Sequence, residues 1–361
     1  MGKQPRELSE KTLRLRAASR YDDGFFSTFV LRKISRQLTG ILVETPIKPN
    51  TVTVISLLIG LGAAYISGAG NYLIGGLLLL LSLILDCVDG EIARYKKEFS
   101  TLGAWLDALS DRVKEYAYIA GLIYSLGEER AWWIGIALVI LQTIRHLSDY
   151  NFVRVQRSFE ESIREESKRR NFIYWSKKIL NLPIGERWLL LAVLPIVTPI
   201  TTALRILLYS GLLSFVYVLF ARLRRMRSWS KSHEAQDFIV AQRDTFLPLR
   251  LEGSKFAWAY PSILRALEFL AFVTLPLDIS PLVRYLFIFS ISIWHYTNLY
   301  DALQDRSPKF GGAGLRMAGR ISLVFLAHLL GLDFEITVLL TIYLAVLIIV
   351  RGGHNVARGV S

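Results

Sequence analysis

Apolar residues fall in long runs separated by short polar breaks, the pattern of a chain that crosses a membrane repeatedly as helices. Six runs lie at roughly 50–70, 72–97, 101–126, 130–155, 187–202 and 204–224, most of them near the ~20 residues a helix needs to span a bilayer. Four more follow at roughly 257–276, 281–300, 318–332 and 335–351. The fold predicted is all-α: a polytopic helical membrane protein with a six-helix core over 49–225, a polar linker over 226–254, and a C-terminal membrane domain over 255–361 with about four further transmembrane helices. Ahead of the core, residues 1–23 read as a disordered basic N-terminus and 24–48 as an amphipathic juxtamembrane helix. In that helix Phe25, Phe26, Phe29, Val30, Ile34, Leu38, Ile41 and Leu42 alternate with Arg32, Lys33 and Arg36. Such a helix lies on the membrane surface, apolar side down. Pro46-Ile47-Lys48-Pro49 then breaks it and starts the first span.

Composition agrees. The chain has 361 residues, of which 52% are apolar. Its formal net charge of +13 would suit nucleic acid, but Lys and Arg sit in blocks between apolar runs: at the N-terminus, Arg94–Lys97, Arg154–Lys178 and Arg222–Lys231. The alternate connections, Ser67–Asn71, Gly127–Arg130 and Thr198–Thr202, carry little positive charge. This positive-inside alternation places both ends of the six-helix core in the cytoplasm and fits the basic blocks to anionic lipids. Nucleic acid is excluded as a partner, and the cytoplasmic membrane is the expected location. The first twenty residues lack an apolar core of the kind a cleavable signal peptide has. A single cysteine, Cys87, rules out an intrachain disulfide framework.

The chemistry concentrates in one place. Asp86-x-x-Asp89-Gly90-x-x-Ala93-Arg94 is followed, eight residues later, by Gly103-x-x-x-Asp107-x-x-x-Asp111. Residues three or four apart share a helix face, so Asp86 and Asp89 form a stripe on the second span and Asp107 and Asp111 one on the third. The short hairpin between them lets the stripes meet. A carboxylate at membrane depth costs several kcal/mol unless paired, hydrated or metal-bound, so four of them together predict a cation site. Oxygen-only ligands favour Mg²⁺ or Mn²⁺, and four carboxylates are enough to bracket two ions, an arrangement suited to phosphoryl displacement. Gly90, Ala93 and Gly103 leave room for a ligand against the helix backbone, or for close helix packing. Arg94 would neutralise a diphosphate or snorkel to the interface.

This spacing is similar to the signature of the CDP-alcohol phosphotransferases (CDP-alcohol phosphatidyltransferases), D-x2-D-G-x2-A-R-x8-G-x3-D-x3-D, at every fixed position. Pro49-Asn50-Thr51-Val52-Thr53 resembles the element that opens the family's first span, and the resemblance covers about residues 24–225. It implies a homodimeric six-helix core that transfers a phosphoalcohol group from a CDP-alcohol to a hydroxyl acceptor and releases CMP. By position, Asp86, Asp89, Asp107 and Asp111 would hold the metals, with Asp111 as the base toward the acceptor. Asn50, Thr53, Gly90, Ala93, Arg94 and Gly103 would bind the CDP moiety. The stretch from Asp23 to Asn50 is most similar to the inositol-phosphate-using branch, which implies a CDP-diacylglycerol or CDP-inositol type donor and an inositol phosphate acceptor. Arg145, in an apolar span, and Arg187, at the start of another, are the candidate acceptor-phosphate ligands. His146 is expected to pair with Asp149.

Beyond the core, Arg265 and Glu268 are one helical turn apart and read as an ion pair. Arg316, Arg320 and Arg351 read as basic helix ends, and His295 and Asp301 do not share a face. Packing, dimerisation or lipid access are the roles expected of residues 255–361. The competing function is a divalent-cation transporter that uses the same carboxylates.

Overall fold

The computed structural model describes residues 10–19, 24–159, 172–228, 256–304 and 312–358. Residues 1–9 and 20–23 of the expected N-terminal tail, and 229–254 of the expected linker, lie outside the described residues. Among the described residues there are helices and turns and no strand. The chain forms two compact units, one of residues 1–125 and 172–199, the other of 126–171 and 200–361.

The first unit begins with α1 (Glu10–Ala18), a helix where the sequence predicts disorder. A π-turn over Ser27–Leu31 runs into α2 (Arg32–Leu42), the expected amphipathic segment. α3 (Pro49–Gly68) starts with proline in its first turn, where the missing N–H costs nothing. α4 (Tyr72–Lys96) is capped by Asn71, whose side chain accepts from the Ile74 N–H at 3.2 Å. It stops at Lys97, which takes the left-handed conformation at φ 59°. Ser100 then caps α5 (Thr101–Tyr124) by accepting from the Gly103 N–H at 2.9 Å. α7 (Phe172–Leu180) and α8 (Ile184–Val197) complete the unit. Small residues let the rods touch. A Cβ on Gly121 of α5 would lie 2.2 Å from the Ala64 carbonyl oxygen of α3, and one on Gly76 of α4 would lie 2.6 Å from the Ala192 carbonyl oxygen of α8.

The second unit holds α6 (Ala131–Phe159), α9 (Ile200–Arg225), α10 (Tyr260–Thr274), α11 (Pro281–Leu303), α12 (Arg316–Leu329) and α13 (Asp333–Arg358). Residues from 256 onward therefore share a unit with two helices the sequence assigns to the six-helix core. α11 runs through the middle, packed on α6 and α13, with Tyr285, Phe287, Ile288, Ile291, Trp294, Tyr296 and Leu299 fully buried.

Every apolar run predicted from the sequence forms a helix, but not every helix could cross a bilayer alone. By length and composition α3, α4, α6, α9 and α13 qualify, and α7 with α8, bent by 62°, is a sixth candidate. α5 carries Asp107, Asp111, Arg112, Lys114 and Glu115. α10 and α12 have 15 and 14 residues, shorter than the ~20 a span needs.

Candidate active site

Three helices supply the site. On α3, Asn50, Thr53, Ser56 and Gly60 recur at helical spacing and make a small, polar stripe in an apolar rod. α4 and α5 are joined only by residues 97–100, so their signature faces meet. Oxygens of Asp86, Asp89 and Asp107 all lie within 4.8 Å of one another. The α3 stripe orients two of them: Thr53 Oγ1 donates to Asp89 Oδ2 at 2.5 Å, and Ser56 Oγ to Asp86 Oδ1 at 2.6 Å. Three convergent carboxylates repel one another, and their oxygen-only donor set fits a hard divalent cation.

Asp111 stands one turn beyond Asp107 and outside this trio; its Oδ1 lies 3.4 Å from Lys114 Nζ. Lys114 was not among the residues predicted. Its side chain is fully buried and its ammonium donates to Asp86 Oδ2 at 2.5 Å and to Ser56 Oγ at 3.0 Å. The signal was available in the spacing, since Asp107, Asp111 and Lys114 follow one another at four and three residues along one face of α5.

Beside the acids is a pocket of about 170 Å³ lined by Pro49, Asn50, Thr53, Asp89, Gly90, Ala93, Arg94, Gly103 and Asp107, with Glu98, Phe99, Ser100 and Ala104. All six residues expected to bind the CDP moiety thus line one cavity. Gly103 keeps it open: a Cβ there would lie 2.5 Å from Asn50 Oδ1 and 2.7 Å from Ser100 Oγ. At Gly90 a Cβ would meet the Arg94 guanidinium at 3.1 Å.

The two expected acceptor arginines have acidic partners. Arg187 is buried, and its Nε and Nη2 donate to the two oxygens of Glu115 at 2.5 and 3.0 Å. Arg112 donates to the same carboxylate at 2.6 Å. Arg145 belongs to the second unit, where it lies 3.8 Å from Asp149. Asp149, predicted to pair with His146, is also gripped by Arg222.

Residues 47–216 match the family described as CDP-alcohol phosphatidyltransferase. The match covers just under half of the chain. The site acids and every pocket residue fall inside it. The bifunctional IPC transferase and DIPP synthase of Thermococcus kodakarensis is 34% identical over 122 residues, 34% of this chain and 28% of that protein. The phosphatidylinositol phosphate synthase of Mycobacteroides abscessus is 32% identical over 111 residues, 30% of this chain and 47% of that protein. The chain therefore spans less than half the length of these relatives. A solved phosphatidylinositol phosphate synthase of Mycobacterium tuberculosis with CDP-DAG bound aligns over 52% of this chain and 92% of its own, with TM-score 0.36 and 19% identity. With five to six helices among the described residues long and apolar enough to cross a membrane, the matched segment lies in an integral membrane protein. Nothing in these comparisons supports the cation-transporter alternative.

Proposed function

We propose that this chain transfers a phosphoalcohol group from a CDP-alcohol to a hydroxyl acceptor and releases CMP. One observation carries the reading: the trio Asp86, Asp89 and Asp107 converges within 4.8 Å, with Asp89 and Asp107 in the wall of a pocket that the signature's small residues hold open. Asp86, Asp89 and Asp107 would hold Mg²⁺ or Mn²⁺. A divalent ion there supplies positive charge against the diphosphate and makes CMP a better leaving group. Asn50, Thr53, Gly90, Ala93 and Gly103 shape the cytidine site, and Arg94 faces the phosphates. Asp111 accepts the proton of the acceptor hydroxyl. The acceptor oxygen then bonds to the alcohol-side phosphorus as the bond to the CMP oxygen breaks.

The donor is of the CDP-diacylglycerol or CDP-inositol type and the acceptor an inositol phosphate, in keeping with the inositol-related names of the relatives. Arg187, oriented by Glu115, and Arg145, 3.8 Å from Asp149, stand as the candidate ligands of the acceptor phosphate. The reaction takes place at the cytoplasmic face of the cytoplasmic membrane, where the basic blocks meet anionic lipids, and the working form is a homodimer.

The test is CMP release by purified, folded protein with Mg²⁺ or Mn²⁺, offered each donor with and without an inositol phosphate. Acceptor-dependent CMP formation supports the reading. Absence of CMP with every pair, in protein that binds Mn²⁺, overturns it.

A further inference from the structure

The row of acids does not end at the pocket. At its far end the ammonium of Lys114 lies 2.5 Å from Asp86 Oδ2 and 3.4 Å from Asp111 Oδ1, the oxygens a second cation would need. The placement is built rather than incidental. A Cβ on Gly60 of α3 would fall 2.5 Å from both Cγ and Cδ of Lys114, so that glycine is the slot through which the lysine stem passes. Ser56 accepts from the ammonium at 3.0 Å, and the indole of Trp188 on α8 lies with its ring centre 5.3 Å away. Three helices besides its own therefore hold the charge in place.

We propose that Lys114 is a resident counter-ion. It neutralises the inner end of the acid row in the metal-free protein and confines divalent binding to Asp86, Asp89 and Asp107, one ion per chain. This rests on the metal-centre reading above and deepens it. The physical ground is that an ammonium and a divalent ion cannot share the same carboxylate oxygens without strong like-charge repulsion. Removing the ammonium leaves Asp86 and Asp111 without a cation, which destabilises the metal-free protein and opens a second divalent site.

The experiment measures Mn²⁺ stoichiometry by titration, and thermal unfolding in EDTA and in excess Mn²⁺, on detergent-solubilised wild type and Lys114→Met. Methionine keeps the stem in the Gly60 slot and deletes only the charge. Wild type is expected to bind one Mn²⁺ and the variant two, with the variant unfolding earlier in EDTA and gaining more from Mn²⁺. Gly60→Ala pushes the stem aside with its charge intact and gives the same direction of change, so the proposal remains testable if Lys114→Met does not fold. Two ions on wild type, or equal stoichiometry and equal EDTA stability in wild type and variants, overturn the counter-ion while leaving the metal centre standing. Absence of Mn²⁺ binding to all three proteins overturns both.

Discussion

Thr39 of α2 donates to Glu91 of α4 across 2.8 Å, and the carboxylate that receives it is wholly buried. Ser35 at 3.0 Å, Ser19 at 2.9 Å and Arg32 at 3.3 Å complete its shell. Glu91 sits within the signature, two residues past Asp89, and so points away from the face that carries Asp86 and Asp89. It clamps the N-terminal helices to the back of the helix that carries Asp86 and Asp89. Substituting Glu91→Ala removes the acceptor shared by one guanidinium and three hydroxyls, and is expected to cost about 3–5 kcal/mol. Thermal unfolding in detergent reads the loss. Faster proteolysis of the 42–48 turn would show α2 released, whereas an unchanged melting temperature would deny the clamp.

Asp111 and Asp89 separate by readout. Asp111→Asn removes the proposed proton acceptor but leaves the carboxylate trio, so CMP formation should fall by ~10²–10⁴ with Mn²⁺ binding retained. Asp89→Asn should weaken both. Equal loss of Mn²⁺ in the two variants would make Asp111 a ligand rather than the base.

Gly103→Ala tests the pocket. Its new Cβ would crowd the Asn50 side chain at 2.5 Å, a flexible group rather than backbone, so folding should survive while the nucleotide loses space. A rise in KM for the CDP-alcohol of about tenfold, worth ~1.4 kcal/mol, is expected with kcat little changed. A fall in kcat alone would place Gly103 outside the nucleotide site.

In the second unit, Glu268 is completely buried and accepts from Arg320 at 2.7 Å, His295 at 2.8 Å and Arg265 at 3.4 Å. Glu268→Ala would remove the buried carboxylate that two guanidiniums share, and a loss of about 3–5 kcal/mol is expected by calorimetry. Glu268→Gln, which retains the shape and one acceptor, should lose less; equal losses would mean that charge is not what the arginines require.

What the sequence disclosed, and what it withheld, divides along chain distance. The acid stripes and the pocket glycines were readable because helix geometry alone decides which of them share a face. Arg265 and Glu268, three residues apart, were readable for the same reason. Arg320 and Arg351 looked like basic helix ends yet are buried on Glu268 and Asp301, 52 and 50 residues away. No local period reveals such partners. The amphipathic stretch is legible, and Phe25, Phe29, Ile34 and Ile41 are exposed as a membrane-facing side requires, but Arg32, Ser35 and Thr39 turn inward to Glu91. That inward turn depends on one buried carboxylate, Glu91, which lies off the signature face. Lys114 was overlooked because a lysine among acids reads as a solvated charge until the Gly60 slot is seen.

α5 also constrains how the protein enters the bilayer. Asp107, Asp111, Arg112, Lys114 and Glu115 would each oppose insertion of an isolated helix, by ~2.5–3.5 kcal/mol for Asp, Lys or Arg at mid-span. Besides pairs within α5 itself, Lys114 finds Ser56 on α3 and Asp86 on α4, and Glu115 finds Arg187 on α8, which is translated roughly seventy residues later. During synthesis this segment must shelter against α3 and α4, or wait at the translocon's edge, until Arg187 arrives to claim Glu115. The settling of α5 is thereby tied to the arrival of α8.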